Sequence, residues 1–371
     1  MPTDDFNTLY LLIAFAGGIF GAAIGALPSF ILCGLLSLVG VGVNVAKGGA
    51  NIGLGTEFFM WAVWGPFLGP QISFAGGVAA AAYAAKKKKL ETGGRDICSA
   101  LMGLNAPDVL FVGGIFGVIG YLIRFGLDAT PIGGIIPALE GTTLGAMTNS
   151  IGLAVVLNAM LARLIFSSKG LLGKVRKGDS RWIPSDVASW LPWQSKPMQL
   201  LLIGIAIAVP ASFIVKHVPN LTGLAFGISV MVLLFLQFGV KMPVIHHIAL
   251  SAEVATMLSG NIWIGVGMGI AAVFIAEYLA ATFLYHADTH IDPPSFALAV
   301  TFVIITSLHK ANLLKALPEN SSWWIPLVTA GLGLAIMSYL KRPVQALQAE
   351  VTLTAKDSAT QEAKENAKVE V

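Results

Sequence analysis

The chain has 371 residues, 56% of them hydrophobic and only 12% charged, with a formal net charge of +3. Soluble domains carry about 25% charged residues, so this composition excludes a soluble globular protein and describes an integral membrane protein. The basic residues cluster at Lys86 to Lys89, at Lys169 to Arg181 and after Lys341, without the interleaved aromatics of a single-strand binder. Charge therefore speaks for membrane orientation and against a nucleic-acid partner.

The amino terminus, Met1 to Asp5, is acidic where a secretory signal needs a basic start, so the apolar run after it is expected to be a retained helix. With about 20 apolar residues as the ruler for one crossing, the first spans are Thr8 to Leu27 and, after Pro28, Phe30 to Val45. The run from Phe58 to Ala85 is interrupted by Gly65-Pro-Phe-Leu-Gly-Pro70 and reads either as one kinked helix or as two half-helices. Backbone freed at such depth has to be satisfied by protein or by a water-filled cavity. Val109 to Ile123 and Ile151 to Phe166 complete the first half, and Ile132 to Leu139 between them reads as a stretch that dips into the membrane. Ser167 to Lys196 is the most polar internal stretch, with Trp182, Trp190 and Trp193 among its basic residues, and suits an interfacial linker. The second half runs through Leu200 to Val215, Leu221 to Phe238, Val244 to Leu258, Trp263 to Leu284 and Ser295 to Leu308, and Trp323 to Leu340 is a last span.

The halves repeat one order of features. Each places a proline-started segment third, Pro70-Gln-Ile-Ser in one and Pro243-Val-Ile-His in the other, and Ser150-Ile-Gly-Leu-Ala matches Ser295-Phe-Ala-Leu-Ala. Keeping every basic loop in the cytoplasm requires an outside amino terminus, a cytoplasmic carboxyl tail and about five spans per half. An odd number inverts the second copy, a recurrent plan of secondary transporters. The expected fold is all-α: a polytopic transmembrane bundle of two inverted repeats plus one extra helix. Residues 1–166 form the first repeat, 167–197 a cytoplasmic linker, 198–309 the second repeat, 310–341 the final helix and 342–371 a disordered polar tail. The glycines Gly113, Gly114, Gly117 and Gly120, like Gly265, Gly267 and Gly269, read as faces for close helix approach. They lack the context of a dinucleotide fingerprint, and no P-loop or His-Glu-x-x-His is present. Cys33 and Cys98 show no metal or redox spacing, and Cys33 reads as a small apolar residue.

The chemistry concentrates in His286-Ala-Asp-Thr-His-Ile-Asp-Pro-Pro294, because imidazole and carboxylate are costly at a membrane boundary. Alternation would aim Asp288, His290 and Asp292 to one side of an extended segment, and with His286 they make a candidate divalent-metal set or a proton relay. Asp292 also reads as a cap for a helix opening at Pro293 and Pro294. His246 and Glu253, seven apart, share a helix face, with His247 beside them and Glu277 in the next helix. These are candidates for ion or proton handling, against the plainer reading of satisfied interhelical hydrogen bonds. In the first half the polar candidates are Gln71 and Ser73 after Pro70, Asn105 and Asp108, Glu140, and Asn149 with Ser150. Half-helix amino termini at Pro70 and Pro243 would favour an anion, so the sign of the substrate stays open.

The stretches Phe6-Asn-Thr-Leu-Tyr to Ala-Leu-Pro28, Gly65 to Tyr83 and Asp288 to Pro294 resemble a group of bacterial multi-pass proteins labelled permeases. That resemblance covers the chain to about Leu340 and implies a permease-like protein, with no catalytic residue carried across. The expectation is a transporter of the bacterial inner membrane that moves a small polar or ionic solute by alternating access, coupled to H⁺ or Na⁺ and compatible with a homo-oligomer. The alternatives are an intramembrane metal-dependent enzyme, with Glu253 or Glu277 as general base, and a passive channel or membrane subunit of a larger complex.

Overall fold

The computed structural model describes residues 7–47, 56–130, 132, 147–177, 179–182, 185, 188–314 and 316–340. Residues 133–139 of the expected membrane-dipping stretch, Glu140 and the tail from 342 lie outside the described residues. Among the described residues the fold is all-helical, with one isolated bridge between Gly94 and Thr289. Five helical stretches there are long and apolar enough to cross a membrane.

Helix α1 (Thr8–Ile24) opens on Asn7, whose side-chain oxygen accepts from the Leu9 N–H, and stops at Gly25, where φ is 101°. That backbone conformation suits glycine and lets α2 (Ala26–Lys47) turn back at once. The Phe58 to Ala85 run is not one kinked helix. A single π turn at Phe59–Val63 gives way to irregular backbone, and α3 (Ser73–Lys86) starts only after Pro70. Pro107 opens α4 (Pro107–Asp128), Asn149 caps α5 (Ser150–Phe166), and Pro197 opens α6 (Pro197–His217). Proline is welcome at these first positions because the N–H it lacks has no helical partner there. The expected Leu221 to Phe238 span tightens midway: α7 (Leu224–Met231) continues as a 3₁₀ stretch, Val232–Phe238. Then come α8 (His246–Ser259), α9 (Ile262–Phe283), α10 (Pro293–Lys310), capped by Asp292 as its sequence implies, and α11 (Trp324–Leu340).

Both proline-started helices, α3 and α8, have 14 residues and begin three residues after their proline. At 1.5 Å per residue each covers about 21 Å, short of the roughly 30 Å hydrocarbon core. Helices α1, α3 and α4 pack as one group and α6, α8 and α9 as another. The groups are joined where α2 meets α7 and where α5 meets α10. At one end of the bundle, Leu27 N–H donates to Ile97 O (2.7 Å), His290 N–H to Gly94 O (3.1 Å) and Lys174 N–H to His286 O (3.0 Å). This basic end gathers the 87–106, 167–196 and 284–292 connections. At the opposite end Glu319 pairs with Lys216 (2.8 Å) and accepts from the Ile262 N–H (3.1 Å). Large apolar side chains such as Leu12, Phe111, Leu202, Phe213, Leu327 and Leu332 stay exposed around the bundle, as a lipid-facing surface requires.

The glycine faces are used as the sequence implies. A Cβ on Gly18 would fall on the Gly113 carbonyl, and one on Gly120 on the Gln71 carbonyl, where α4 meets the break before α3. Gly126, on the same helix, has open space. Gly120→Ala should therefore lower the unfolding temperature in detergent by an overpacking cost of about 1–3 kcal/mol. Gly126→Ala should leave it unchanged or raise it, because alanine loses less entropy in a helix; equal effects at the two positions would refute the close approach.

Candidate functional site

The site begins with how the broken backbone before α3 is satisfied. The Trp64 carbonyl accepts from the Gln71 amide (3.2 Å) and from the Arg124 guanidinium of α4. The Leu68 carbonyl accepts from Ser73 Oγ (2.8 Å) and from the Cys33 thiol (3.0 Å). Gln71 and Ser73 thus hold the break together, and Cys33, read as a small apolar residue, is a hydrogen-bond donor. Arg124 also pairs with Asp128 at 3.2 Å. Arg163 of α5 does the same work at the basic end. It donates to Thr289 Oγ1 (2.8 Å), Thr289 O (2.6 Å), Leu171 O (2.8 Å) and Phe283 O, pinning the end of α9 and the histidine-rich loop to the start of the linker. Sequence reasoning passed over both arginines, although an arginine inside an apolar span is itself a signal.

With the breaks held, the two short helices bring their amino termini together. Phe30 of α2 sits between them, 6.0 Å from the Phe74 ring of α3 and 4.9 Å from the His246 ring of α8. A cavity of about 710 Å³ reaches from the 92–98 and linker segments of the basic end down to Phe30, Pro70, Phe74 and His246. Past it lies a space of about 40 Å³ that shares Phe30, Pro70, His246 and Ser295 and adds Asn149 and Trp64. His246 is 4% exposed, and its Nδ1 has no hydrogen-bond partner.

Asp288, His290 and Asp292 all line the larger cavity, as their alternation implies, but they do not converge on one point. Asp288 accepts from Ser167 Oγ and from the N–H and Oγ of Ser168 (both 3.1 Å). Asp292 accepts from the N–H and Oγ of Ser295 (2.8 and 2.6 Å), and its other oxygen lies 3.3 Å from His290 Nε2. His286 turns away to the Ser180 and Arg181 carbonyls (3.1 and 3.4 Å). The proposed metal set of His286, Asp288, His290 and Asp292 is therefore not assembled, because its members face three different sets of partners. Among the described residues no three His, Cys, Asp or Glu side chains are grouped to hold a metal ion.

His246 and Glu253 separate as well. Glu253 is fully buried, and its Oε1 accepts from the Gly223 and Ala225 N–H groups (3.2 and 3.1 Å), capping α7 from a neighbouring helix. His247 and Glu277 face a different space of about 10 Å³ beside Trp190 and Gln194. There Tyr285 donates to Glu277 Oε1 (2.6 Å), while neither ring nitrogen of His247 has a hydrogen-bond partner. Asn149 caps α5, accepting from the Gly152 N–H (2.7 Å), and borders the smaller space past His246. Asn105 and Asp108 sit at the start of α4, at the basic end, where Asp108 pairs with Lys89 at 2.7 Å.

The sequence reading also passed over the 92–98 segment. Arg95 lines the cavity and donates to the carbonyls of Ala188 (2.9 Å), Tyr285 (3.1 Å) and Ser189 (3.3 Å). Asp96 accepts from Thr92, Ser99 and the Cys98 and Ser99 N–H groups. Burial works to raise the pKa values of Asp96 and Asp288, but these hydrogen bonds outweigh it and hold both below the ordinary carboxylate range.

Helices with exposed apolar flanks around a cavity that ends at two half-helix termini define an all-helical membrane protein with a central site. The chain belongs to a family of unknown function, DUF7973, whose model matches residues 2–184 and 179–326. No curated protein and no solved structure matches it.

Two measurements test these assignments. Glu253→Gln keeps an acceptor oxygen and should unfold near the wild-type temperature, whereas Glu253→Ala orphans two N–H groups and should lose about 1–3 kcal/mol. Equal losses would mean that charge, not the acceptor, holds α7. Because the pKa of Asp288 is depressed by folding, its stabilisation is complete above the ordinary carboxylate range and is lost as pH falls through that range. The unfolding temperature of the wild type should drop more steeply than that of Asp288→Asn between about pH 5 and about pH 3; parallel curves would remove the role given to Ser167 and Ser168.

Proposed function

We propose that this protein is a secondary transporter of the bacterial inner membrane, moving a small polar or ionic solute by alternating access and coupled to H⁺ or Na⁺. One observation carries the reading: a cavity of about 710 Å³ enters from the basic end and stops at the facing amino termini of two interrupted helices. Discontinuous helices that meet at a site near the bilayer midplane are how many secondary transporters offer backbone dipoles to a substrate. A passive channel needs a continuous path instead, and here Phe30, Phe74 and Phe226 crowd the inner end, with ring centroids about 6.0 to 6.4 Å apart.

The order of elements supports two inverted repeats, α1 to α5 and α6 to α10, with α11 added. A helix, a second helical stretch (continuous in α2, α7 plus its 3₁₀ extension in the second half), a 14-residue helix after a proline, a 22-residue helix and a helix of 17 or 18 residues occur in that order in each half. The contacts α2 with α7 and α5 with α10 join equivalent members, as elements flanking a twofold axis do. The family model also matches in two stretches that meet in the linker. Five crossings per repeat bring Lys86 to Lys89 and Lys169 to Arg181 to one end, which the positive-inside rule makes cytoplasmic, leaving the amino terminus outside. The permease-like resemblance of the Gly65 to Tyr83 and Asp288 to Pro294 stretches agrees with this assignment.

Cys98 lines the mouth of the cavity and is exposed, whereas Cys33 is buried, so the native chain carries its own reporter. A membrane-impermeant thiol reagent should label Cys98 in inside-out vesicles and leave it untouched in right-side-out vesicles or spheroplasts. A Cys98→Ala control should abolish the signal. Labelling from the periplasmic face alone would reverse the orientation, and equal labelling from both faces would replace the transporter by a channel.

A further inference from the structure

The same cavity says what kind of solute fits it. Three cations line it, Arg95, Lys169 and Arg176, and none of them has a carboxylate partner among the described residues. Arg95 spends its hydrogen bonds on three neutral carbonyls, which fix the guanidinium without cancelling its charge. Three carboxylates line the cavity as well, but each is already occupied. Asp96 takes four hydrogen bonds from its own loop. Asp288 is bound by two serines and lies in the field of Arg163. Asp292 caps α10 and meets His290. A carboxylate offers about four lone-pair sites, so these three have little left to give a cationic ligand.

The inner end adds the same sign in weaker form. The amino termini of α3 and α8, neither capped by a side chain, come to the cavity wall carrying the partial positive charge of a helix start, whereas that of α10 is already met by Asp292. The second observation is His246, more than nine-tenths buried, whose ring lines that end of the cavity while its unpartnered Nδ1 is shut off from the space. Around it the wall is aromatic and aliphatic, formed by Phe30, Phe74, Leu27 and Val244. A volume of several hundred Å³ suits a small organic molecule, not a bare ion.

We infer that the cavity binds an organic anion with an apolar body, its carboxylate toward Arg95, Lys169 and Arg176 and its body toward Phe30, Phe74 and the ring of His246. This rests on the transporter reading only for calling the ligand a transported solute; the binding chemistry stands apart from it.

The test is thermal unfolding of the purified full chain in detergent with phenylacetate, indole-3-acetate and octanoate. The matched controls are phenylacetamide, 2-phenylethylamine and inorganic phosphate. A ligand of the folded state raises the unfolding temperature in proportion to the logarithm of its concentration over its Kd. At least one of the carboxylates should stabilise the protein, and the amide, amine and phosphate should not. Lys169→Gln with Arg176→Gln removes two cations whose side chains make no hydrogen bond among the described residues, so it should unfold normally without ligand yet weaken carboxylate binding roughly tenfold or more. His246→Ala should weaken it separately. The inference is overturned by stabilisation from the amine or from phosphate as strong as that from the carboxylates, by no carboxylate effect, or by an unchanged effect in the Lys169/Arg176 variant. A bound carboxylate that proteoliposomes do not take up would remove the transporter reading and leave this one. Uptake of an amine, with no carboxylate binding, would do the reverse.

Discussion

Everything at the centre of this molecule depends on a debt of backbone hydrogen bonds. Interrupting a helix inside hydrocarbon frees carbonyl and N–H groups that no water reaches, and each one left alone costs several kcal/mol. The break before α3 is tolerable because Arg124, Gln71, Ser73 and Cys33 converge on two carbonyls, those of Trp64 and Leu68. Gly120 lets α4 come close enough to deliver the arginine, since a β-carbon there would meet the Gln71 backbone. Once the break is held, α3 starts inside the bundle rather than at its surface. Its first turn then becomes part of a cavity wall.

The second break is held differently. Trp193 Nε1 donates to the Met242 carbonyl (3.0 Å), and the Gln194 side chain both donates to Val244 O (3.1 Å) and accepts from Val244 N–H (2.8 Å). These donors come from the linker, not from a neighbouring span. The entry to α8, and with it His246, is thus tied to the polar connection between the halves. Arg163 binds the other side of that connection, joining Leu171 to the end of α9 and to Thr289. One buried guanidinium and one amide side chain therefore link the linker to both walls of the cavity.

Much of this architecture was legible in the sequence. Apolar run length placed the long helices to within a few residues, and Asp292 ahead of Pro293 and Pro294 announced its helix start. The prolines at 70 and 243 marked the breaks, although the choice between a kink and a half-helix needed the partners of the Trp64 and Leu68 carbonyls, which come from residues scattered over 90 positions of chain, from Cys33 to Arg124. The site was legible in part for the same reason. His246, His290 and Asp292 are costly residues in apolar surroundings and do line the cavity. Glu253 and Gln71 looked equally costly and proved to be engaged with backbone, a distinction that spacing along one helix does not carry. Arg95 and the 92–98 segment lie in a polar loop, where a charge is unremarkable until the fold turns it inward.

The capping of acidic groups is what joins fold to chemistry. A loop carboxylate near a membrane normally attracts a cation, and the abundance of aspartate in the 288–292 loop invites a metal or proton reading on composition alone. Here each aspartate at the cavity is consumed in building the loop or helix that carries it, through Ser167 and Ser168, Ser295, or Thr92 and Ser99. Arginine and lysine make no such local bargain with the backbone N–H groups, because they have only donors to offer. A cavity lined by equal numbers of acids and bases therefore need not be neutral to a ligand. The acids are bound by donors that temper their charge, while Arg95 meets only neutral carbonyls, so the number of charges in the sequence and the sign of the field inside the fold are separate quantities, set by which partners the fold gives each group.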